Sequence, residues 1–122
     1  MKKTNAIREL ESHKIEHLVR EYEVDEDHLD ALSVAIKTNE DITRIFKTLV
    51  LLNEKKEMIV ACIPGLEKLD LKKLAKISGS KKVEMLPMKD LFSMTGYLRG
   101  GCSPIAIKKK HTAFIHSSAT DN

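Results

Sequence analysis

The sequence of 122 residues predicts an α+β domain built on a mixed β-sheet. The strongest observation is a pair of aliphatic runs, IFKTLVLL at 45–52 and MIVACIP at 58–64, joined by the polar segment NEKKE. Two such runs around a short polar loop are typical of a β-hairpin whose strands are buried on both faces. Helical and strand patterns are mixed elsewhere without a strict β-α-β order, which favours the α+β class.

Four shorter elements are predicted before the hairpin. A capping residue at position 4 or 5 begins a first helix that reaches about His13. Imperfect alternation of apolar residues predicts a strand over 15–23, and apolar spacing on one face predicts a helix over 30–37. The segment NEDITR at 39–44 predicts a further helical turn.

The elements after the hairpin begin with a capped helix. Asp70 precedes LDLKKLAKISG, whose spacing places Leu71, Leu74 and Ile77 inward and ends at Gly79. The run KKVEML predicts a strand, and PMKDLFSM predicts a short helix that begins at its proline. The run TAFIH predicts the closing strand.

Composition fits one compact domain. A hydrophobic fraction of 42% supplies a core, and the charged fraction of 32% is of mixed sign. No apolar run approaches the roughly 20 residues of a membrane span, and no apolar segment of a signal peptide follows the two N-terminal lysines. We therefore expect a single domain over 1–122 in the cytoplasm, with both cysteines reduced.

Charge is distributed unevenly along the chain. Residues 1–45 carry seven Lys/Arg and eleven Asp/Glu, whereas residues 46–122 carry fourteen and seven. No acid occurs between Leu91 and Thr120. A field of this kind favours an anionic partner such as a nucleic acid or a phosphorylated ligand. The alternative is that the lysines only keep a small domain in solution.

Lys47 is the first candidate for chemistry. It lies inside the first hairpin strand, on the same side as Ile45, Leu49 and Leu51. A lysine there either reaches solvent at the strand end or enters a pocket. In a pocket its ammonium group would suit a carboxylate, a phosphate or a developing oxyanion.

The segment TGYLRGGCSPIAIKKK at 95–110 is the second candidate. It combines three glycines, a thiol and four cations with no acid. Gly100, Gly101 and Pro104 form a G-x-x-x-P turn, whose backbone N–H groups can make an anion nest or an oxyanion hole. A tight turn between strands is the alternative. The pattern is neither a P-loop nor a dinucleotide-binding motif.

Cys102 is the third candidate. A thiol near Arg99, with His111 and His116 downstream, raises the hypothesis of a cysteine hydrolase. Spacing alone does not establish a Cys–His pair. The cysteines and histidines show no C-x-x-C or H-E-x-x-H spacing, so we expect no metal site.

Three segments together resemble a known family. KTLVLL, LDLKKLAKISGSKKVEM and TGYLRGGCSPIAIKKK match in order and spacing the YbaK/EbsC family of free-standing aminoacyl-tRNA deacylases, from Asn5 to about Ser118. This family is similar to the editing domain of bacterial prolyl-tRNA synthetases. The resemblance implies a convoluted mixed sheet with a small pocket, no cofactor, and removal of a wrong amino acid from tRNA. Prolyl-tRNA synthetase is a second implied partner.

The resemblance also implies roles for individual positions. Lys47 matches the strand lysine that binds the acceptor-end phosphate or adenosine, and Thr48 is the polar residue beside it. The G-x-x-x-P loop holds the ester carbonyl through its backbone, which leaves Cys102 incidental. The predicted set comprises catalytic Lys47, Gly100 and Gly101; substrate-binding Tyr22, Thr48, Gly96, Tyr97, Ser103 and Pro104; and tRNA-binding Arg99, Lys108, Lys109 and Lys110.

The residue after the lysine bears on specificity. In the family, K-T-L-V is typical of the branch that clears cysteine from tRNA for proline, whereas the alanine-clearing branch more often has asparagine there. The substrate's own thiol then displaces the tRNA, and the protein contributes positioning and electrostatic stabilisation. The open alternatives are a deacylase for another small amino acid such as alanine, a non-catalytic tRNA- or nucleotide-binding protein, and a cysteine hydrolase.

Family members continue with a further strand and helix, including a serine–glycine–basic–glycine stretch beside the pocket. We expect the domain over 1–122 to lack these elements. A fragment and a short, inactive product both remain open.

Overall fold

The computed structural model describes residues 3–19, 31–97 and 102–121. Within these ranges one four-stranded mixed sheet forms the centre of the domain. Its strands are β1 (Phe46–Asn53), β2 (Met58–Pro64), β3 (Val83–Met85) and β4 (His111–Ile115), in the spatial order β3-β1-β2-β4. β1 is antiparallel to both β2 and β3, whereas β4 runs parallel to β2. The predicted α+β class with a mixed sheet is confirmed.

The predicted hairpin is the best-supported part of the sheet. β1 and β2 pair in unbroken register from Phe46 opposite Pro64 to Leu52 opposite Met58. The side chain of Asn53 holds the connecting turn, because its Oδ1 accepts hydrogen bonds from two backbone N–H groups of the turn at 2.9 Å each. Six of the seven β2 residues are buried, so β2 is the central strand of the core.

The described ranges contain four α-helices, and the starts of two of them follow local capping chemistry. They are α1 (Asn5–Ser12), α2 (Ala31–Thr38), α3 (Leu71–Ile77) and α4 (Leu91–Thr95). Thr4 Oγ1 accepts from the N–H of Ile7 at the start of α1, and Asp70 Oδ1 accepts from the N–H of Lys73 at the start of α3. None of the helices in the described ranges is long and apolar enough to cross a membrane.

The two faces of the sheet bury different clusters. On the face that we call the α3 face, Leu51 and Ile59 pack with Leu74 of α3. On the opposite face, which we call the loop face, Val50 and Val60 pack with residues that follow α4. Side chains alternate between the two faces along each strand, so the face on which a side chain lies follows from its place in the strand, which we call strand parity.

Two details differ from the sequence prediction. The strand predicted over 15–23 is wrong for 15–19, which has no regular structure, and its remainder lies outside the described residues. Leu74 is buried as predicted, but Leu71 and Ile77 are 41% and 57% exposed. Only one turn of the seven-residue α3 is buried against the sheet. Leu71 and Ile77, near the two ends of the helix, therefore lie outside this buried contact.

Candidate functional site

Thr48 lies near the start of β1, directly opposite Cys62 of β2. By strand parity both side chains emerge on the loop face, which also buries Tyr97. Burial raises the pKa of the Cys62 thiol, and the nearby Thr48 hydroxyl offsets part of that rise. The Cys62 thiol is therefore protonated at neutral pH. Sequence reasoning did not single out Cys62, although the hairpin register predicts which residue faces Thr48.

Lys47 lies on the other side of the same strand. It is opposite Ile63 in the ladder and shares the α3 face with Leu49. In the described part of the chain, β3 pairs only with residues 51–53 and Leu86 bonds to Val50, so no described strand pairs with the outer edge of β1 beside Lys47. A long lysine side chain near the start of an edge of this kind can extend past the strand. Its predicted catalytic role, with contact to the acceptor-end phosphate or adenosine, stays a prediction.

The described part of the glycine segment is a turn tied to the loop face. Gly96 ends α4 with φ +81°, and the Cβ of any other residue there would meet only Asn5, at 3.8 Å. The buried Tyr97 donates a hydrogen bond from its hydroxyl to the carbonyl of Ile105 at 2.7 Å. Ser103 Oγ accepts from the N–H of Ile105 at 3.1 Å. These contacts fix the residues around Pro104.

Cys102 sits half-buried at the start of this turn. Burial raises the pKa of its thiol, so the thiol is protonated at neutral pH. The two downstream histidines are exposed or half-exposed and bond elsewhere: Nδ1 of His111 lies 2.7 Å from the Lys109 carbonyl, and Nδ1 of His116 lies 2.9 Å from Ser118 Oγ. His111 begins β4 and His116 follows its end, so they lie at opposite ends of that strand. This arrangement gives no support to a cysteine hydrolase.

The other predicted site residues fall into two groups. Lys108, Lys109 and Lys110 are exposed and precede β4. Tyr22, Arg99, Gly100 and Gly101 lie outside the described residues, so their predicted roles stay predictions. Among the residues that the structure does describe, no group of three or more His, Cys, Asp or Glu is placed to hold a metal ion.

Two open grooves adjoin the far end of β2. The larger has a volume of about 400 Å³ on the α3 face, with Ile63, Leu74 and Phe114 among its lining residues. The smaller, of about 370 Å³, lies beside Pro64 and Leu66. Both are lined by a mixture of apolar and polar residues, and none of the predicted site residues lines either groove.

The loop face of the sheet carries the Thr48 hydroxyl opposite the Cys62 thiol; both cysteine thiols are protonated, and the described residues contain no Cys–His pair that would activate one. A site of this kind is typical of proteins that position a substrate and supply no nucleophile of their own. The chain matches the family described as "Aminoacyl-tRNA editing domain" over residues 25–122. It belongs to this family, and the expected relationship to tRNA editing proteins is confirmed.

Among curated proteins, the chain is similar to "Putative Cys-tRNA(Pro)/Cys-tRNA(Cys) deacylase EbsC" of Enterococcus faecalis (strain ATCC 700802 / V583). The two are 53% identical over 117 residues, which is 96% of this chain and 71% of the relative.

Solved structures show the same fold at lower identity. One is described as a "putative trans-editing enzyme for prolyl tRNA synthetase"; it matches with a TM-score of 0.81 and 21% identity over 100% of this chain and 78% of the other. Another, "hypothetical protein APE2540", matches with a TM-score of 0.77 and 16% identity over 92% and 73% of the two chains.

Proposed function

We propose that this protein removes cysteine from mischarged tRNA, with tRNA for proline as the primary substrate. The thiol of the substrate cysteine attacks its own ester carbonyl carbon and forms a carbon–sulfur bond. The ester carbon–oxygen bond breaks, and the tRNA leaves as a free hydroxyl after taking up the proton that the thiol lost. Water then opens the resulting thiolactone to give free cysteine.

The observation that carries this proposal is the 53% identity to a relative whose name includes deacylation of Cys-tRNA(Pro) and Cys-tRNA(Cys). The chemistry of the site supports it independently. Burial holds Cys62 and Cys102 in their thiol forms, so neither competes with the substrate's sulfur for the carbonyl. To the backbone N–H groups of the G-x-x-x-P loop we assign the stabilisation of the developing oxyanion.

The substrate also defines where and with what the protein acts. We infer that it works in the cytoplasm, where tRNA is charged, and that prolyl-tRNA synthetase is its partner as the source of the mischarged tRNA. Arg99 and Lys108, Lys109 and Lys110 are the cations that we assign to the tRNA backbone. Lys47 and Thr48 are assigned to the acceptor end.

The test is a paired time course with Cys-tRNA(Pro) and Ser-tRNA, using the parent protein and Cys102→Ser. The parent should clear Cys-tRNA quickly and spare Ser-tRNA, because a hydroxyl is a far weaker nucleophile than a thiol. Cys102→Ser should retain most of the activity, and Gly100→Val should lose it because a side chain blocks close backbone approach. Equal clearance of both substrates, or loss of all activity in Cys102→Ser, would overturn the mechanism.

A parent protein that binds tRNA without clearing Cys-tRNA would instead identify a non-catalytic binding protein. Clearance of Ala-tRNA in preference to Cys-tRNA would identify an alanine deacylase. A binding assay with uncharged tRNA beside the time course separates these outcomes.

A further inference from the structure

The topology of the sheet brings three separate groups of lysines to one end. β1 ends and β2 begins at the hairpin turn, which carries Lys55 and Lys56. β3 is antiparallel to β1, with Val83 opposite Asn53, so the residues before β3 reach the same end. β4 is parallel to β2, with His111 opposite Met58, so the residues before β4 reach it as well. We call this surface the lysine end: Lys55, Lys56, Lys81, Lys82, Lys108, Lys109 and Lys110.

All seven lysines of this surface are exposed. The acids in the same segments are Glu54, Glu57 and Glu84, and each already has a protein partner. Glu54 Oε1 accepts from the N–H of Lys81 at 2.9 Å, Glu57 Oε1 accepts from the Asn53 amide at 3.0 Å, and Glu84 lies 3.8 Å from Lys56 Nζ. Seven lysines against three such glutamates leave a positive surface.

The dimensions of the lysine end fit a polyanion better than a small ligand. Four neighbouring strands about 4.8 Å apart spread the cations over roughly 14 Å. Thr48 lies at the opposite end of β1, five residues from Asn53, which corresponds to about 17 Å along the strand. A ligand that reaches both places must therefore be at least this long and carry negative charge where it meets the lysine end.

We propose that the lysine end, including Lys55, Lys56, Lys81 and Lys82, is a docking surface for the phosphate backbone of RNA. It rests on the proposed function and extends the surface assigned above to Lys108–Lys110 across the hairpin turn and the start of β3, at the end of the sheet distant from Thr48. Lysines that neutralise phosphates release counterions, so this contact is steeply dependent on salt. Its role is to hold the body of the tRNA while the acceptor end lies near Thr48.

The test compares Lys55→Glu, Lys82→Glu with a matched control, Lys68→Glu, Lys73→Glu. The control carries the same change of charge on exposed residues, but these line the groove on the α3 face beside Ile63 and His116, away from the lysine end. The affinity for uncharged tRNA is measured by filter binding at several salt concentrations, and circular dichroism verifies that each variant is folded. The pair Lys55→Ala, Lys82→Ala separates lost attraction from added repulsion.

The lysine-end variant should bind tRNA at least tenfold more weakly, whereas the control should lose less than threefold. The alanine pair should reduce the slope of log affinity against log salt by roughly 1.4 to 1.8, for two lost contacts. Equal loss in the control, or unchanged affinity in the lysine-end variants, would overturn the proposal.

A second measurement separates this surface from the catalytic proposal. The ratio of kcat/KM for Cys-tRNA to that for 3′-cysteinyl-adenosine should fall about tenfold in Lys55→Glu, Lys82→Glu. A constant ratio in an active protein contradicts the docking surface and leaves the deacylase intact. If the parent is inactive but binds uncharged tRNA through the lysine end, the docking surface is supported and the catalytic proposal fails.

Discussion

Thr48 and Cys62 face each other across the β1–β2 ladder on the loop face of the sheet. A threonine hydroxyl can donate one hydrogen bond and accept two, so contact with the thiol leaves it capacity for a substrate. We expect Thr48→Val to slow clearance of Cys-tRNA about tenfold, the worth of one hydrogen bond at roughly 1.4 kcal/mol, without loss of folding stability.

Thr48→Ser, which keeps the hydroxyl, is the matched control and should retain most of the activity. Cys62→Val tests whether the thiol matters only through Thr48. An equal rate for Thr48→Val and the parent in single-turnover measurements would remove Thr48 from the site.

Lys47 is the predicted cationic contact to the acceptor end. Losing one preorganised charge contact of this type costs roughly 2–4 kcal/mol of transition-state stabilisation, so Lys47→Ala should lower kcat/KM for Cys-tRNA accordingly. Lys68→Ala, an exposed lysine that also lines the α3 face, is the control and should have little effect. A folded Lys47→Ala protein that deacylates as fast as the parent would exclude this assignment.

Ala106 adopts φ +66°, in the left-handed region that costs a residue with a Cβ about 1–2 kcal/mol. Ala106→Gly relieves that cost but adds conformational entropy to the unfolded chain, so we expect a net gain near 1 kcal/mol in the free energy of unfolding. Urea denaturation measures it. Ala113→Gly, within β4, should destabilise the protein instead, by roughly 0.5–1 kcal/mol. Destabilisation by both substitutions would contradict the assigned backbone conformation.

Asp70 caps α3 through a hydrogen bond of 3.0 Å to the N–H of Lys73. Its loss in Asp70→Ala should cost about 1 kcal/mol of stability. Asp90 occupies the equivalent position at α4 but makes no side-chain capping bond, so Asp90→Ala should cost much less. Thermal unfolding of the two variants side by side is the measurement, and a larger loss for Asp90→Ala would count against the capping role.

Stability should fall in alkaline solution because burial raises the pKa of two thiols above their ordinary value of 9.0. Above that pH the thiols ionise in the unfolded chain while they stay protonated in the folded one, which favours unfolding. The urea midpoint should therefore fall as pH rises from 9, and Cys62→Val, Cys102→Val should lessen the fall. Tyr97, whose pKa burial also raises, contributes only above its ordinary value of 10.0. An identical pH profile for the parent and the double variant would disprove the contribution of the thiols.

Local patterns were sufficient to predict the hairpin, the caps of α1 and α3, and the closing strand, because short-range rules determine each of them. They failed for 15–19, where an imperfect alternation has no neighbouring strand to pair with in the described structure. They also could not predict that Lys55, Lys82 and Lys110 meet at one end. That proximity depends on β4 running parallel to β2 and β3 antiparallel to β1, which no local pattern reveals.

The order of the strands along the chain has a consequence for synthesis and folding. The β1–β2 pairing spans only a short turn, whereas His111 of β4 is far along the chain from its partner Met58. Contacts between residues close in sequence form early, whereas contacts between residues far apart in sequence must first overcome the entropy of closing a long loop. During translation the hairpin can form once residue 64 has left the ribosome, and β4 then adds to a ready template. We therefore expect the slowest amide hydrogen exchange in β2. Local unfolding should begin in β4, at its outer edge.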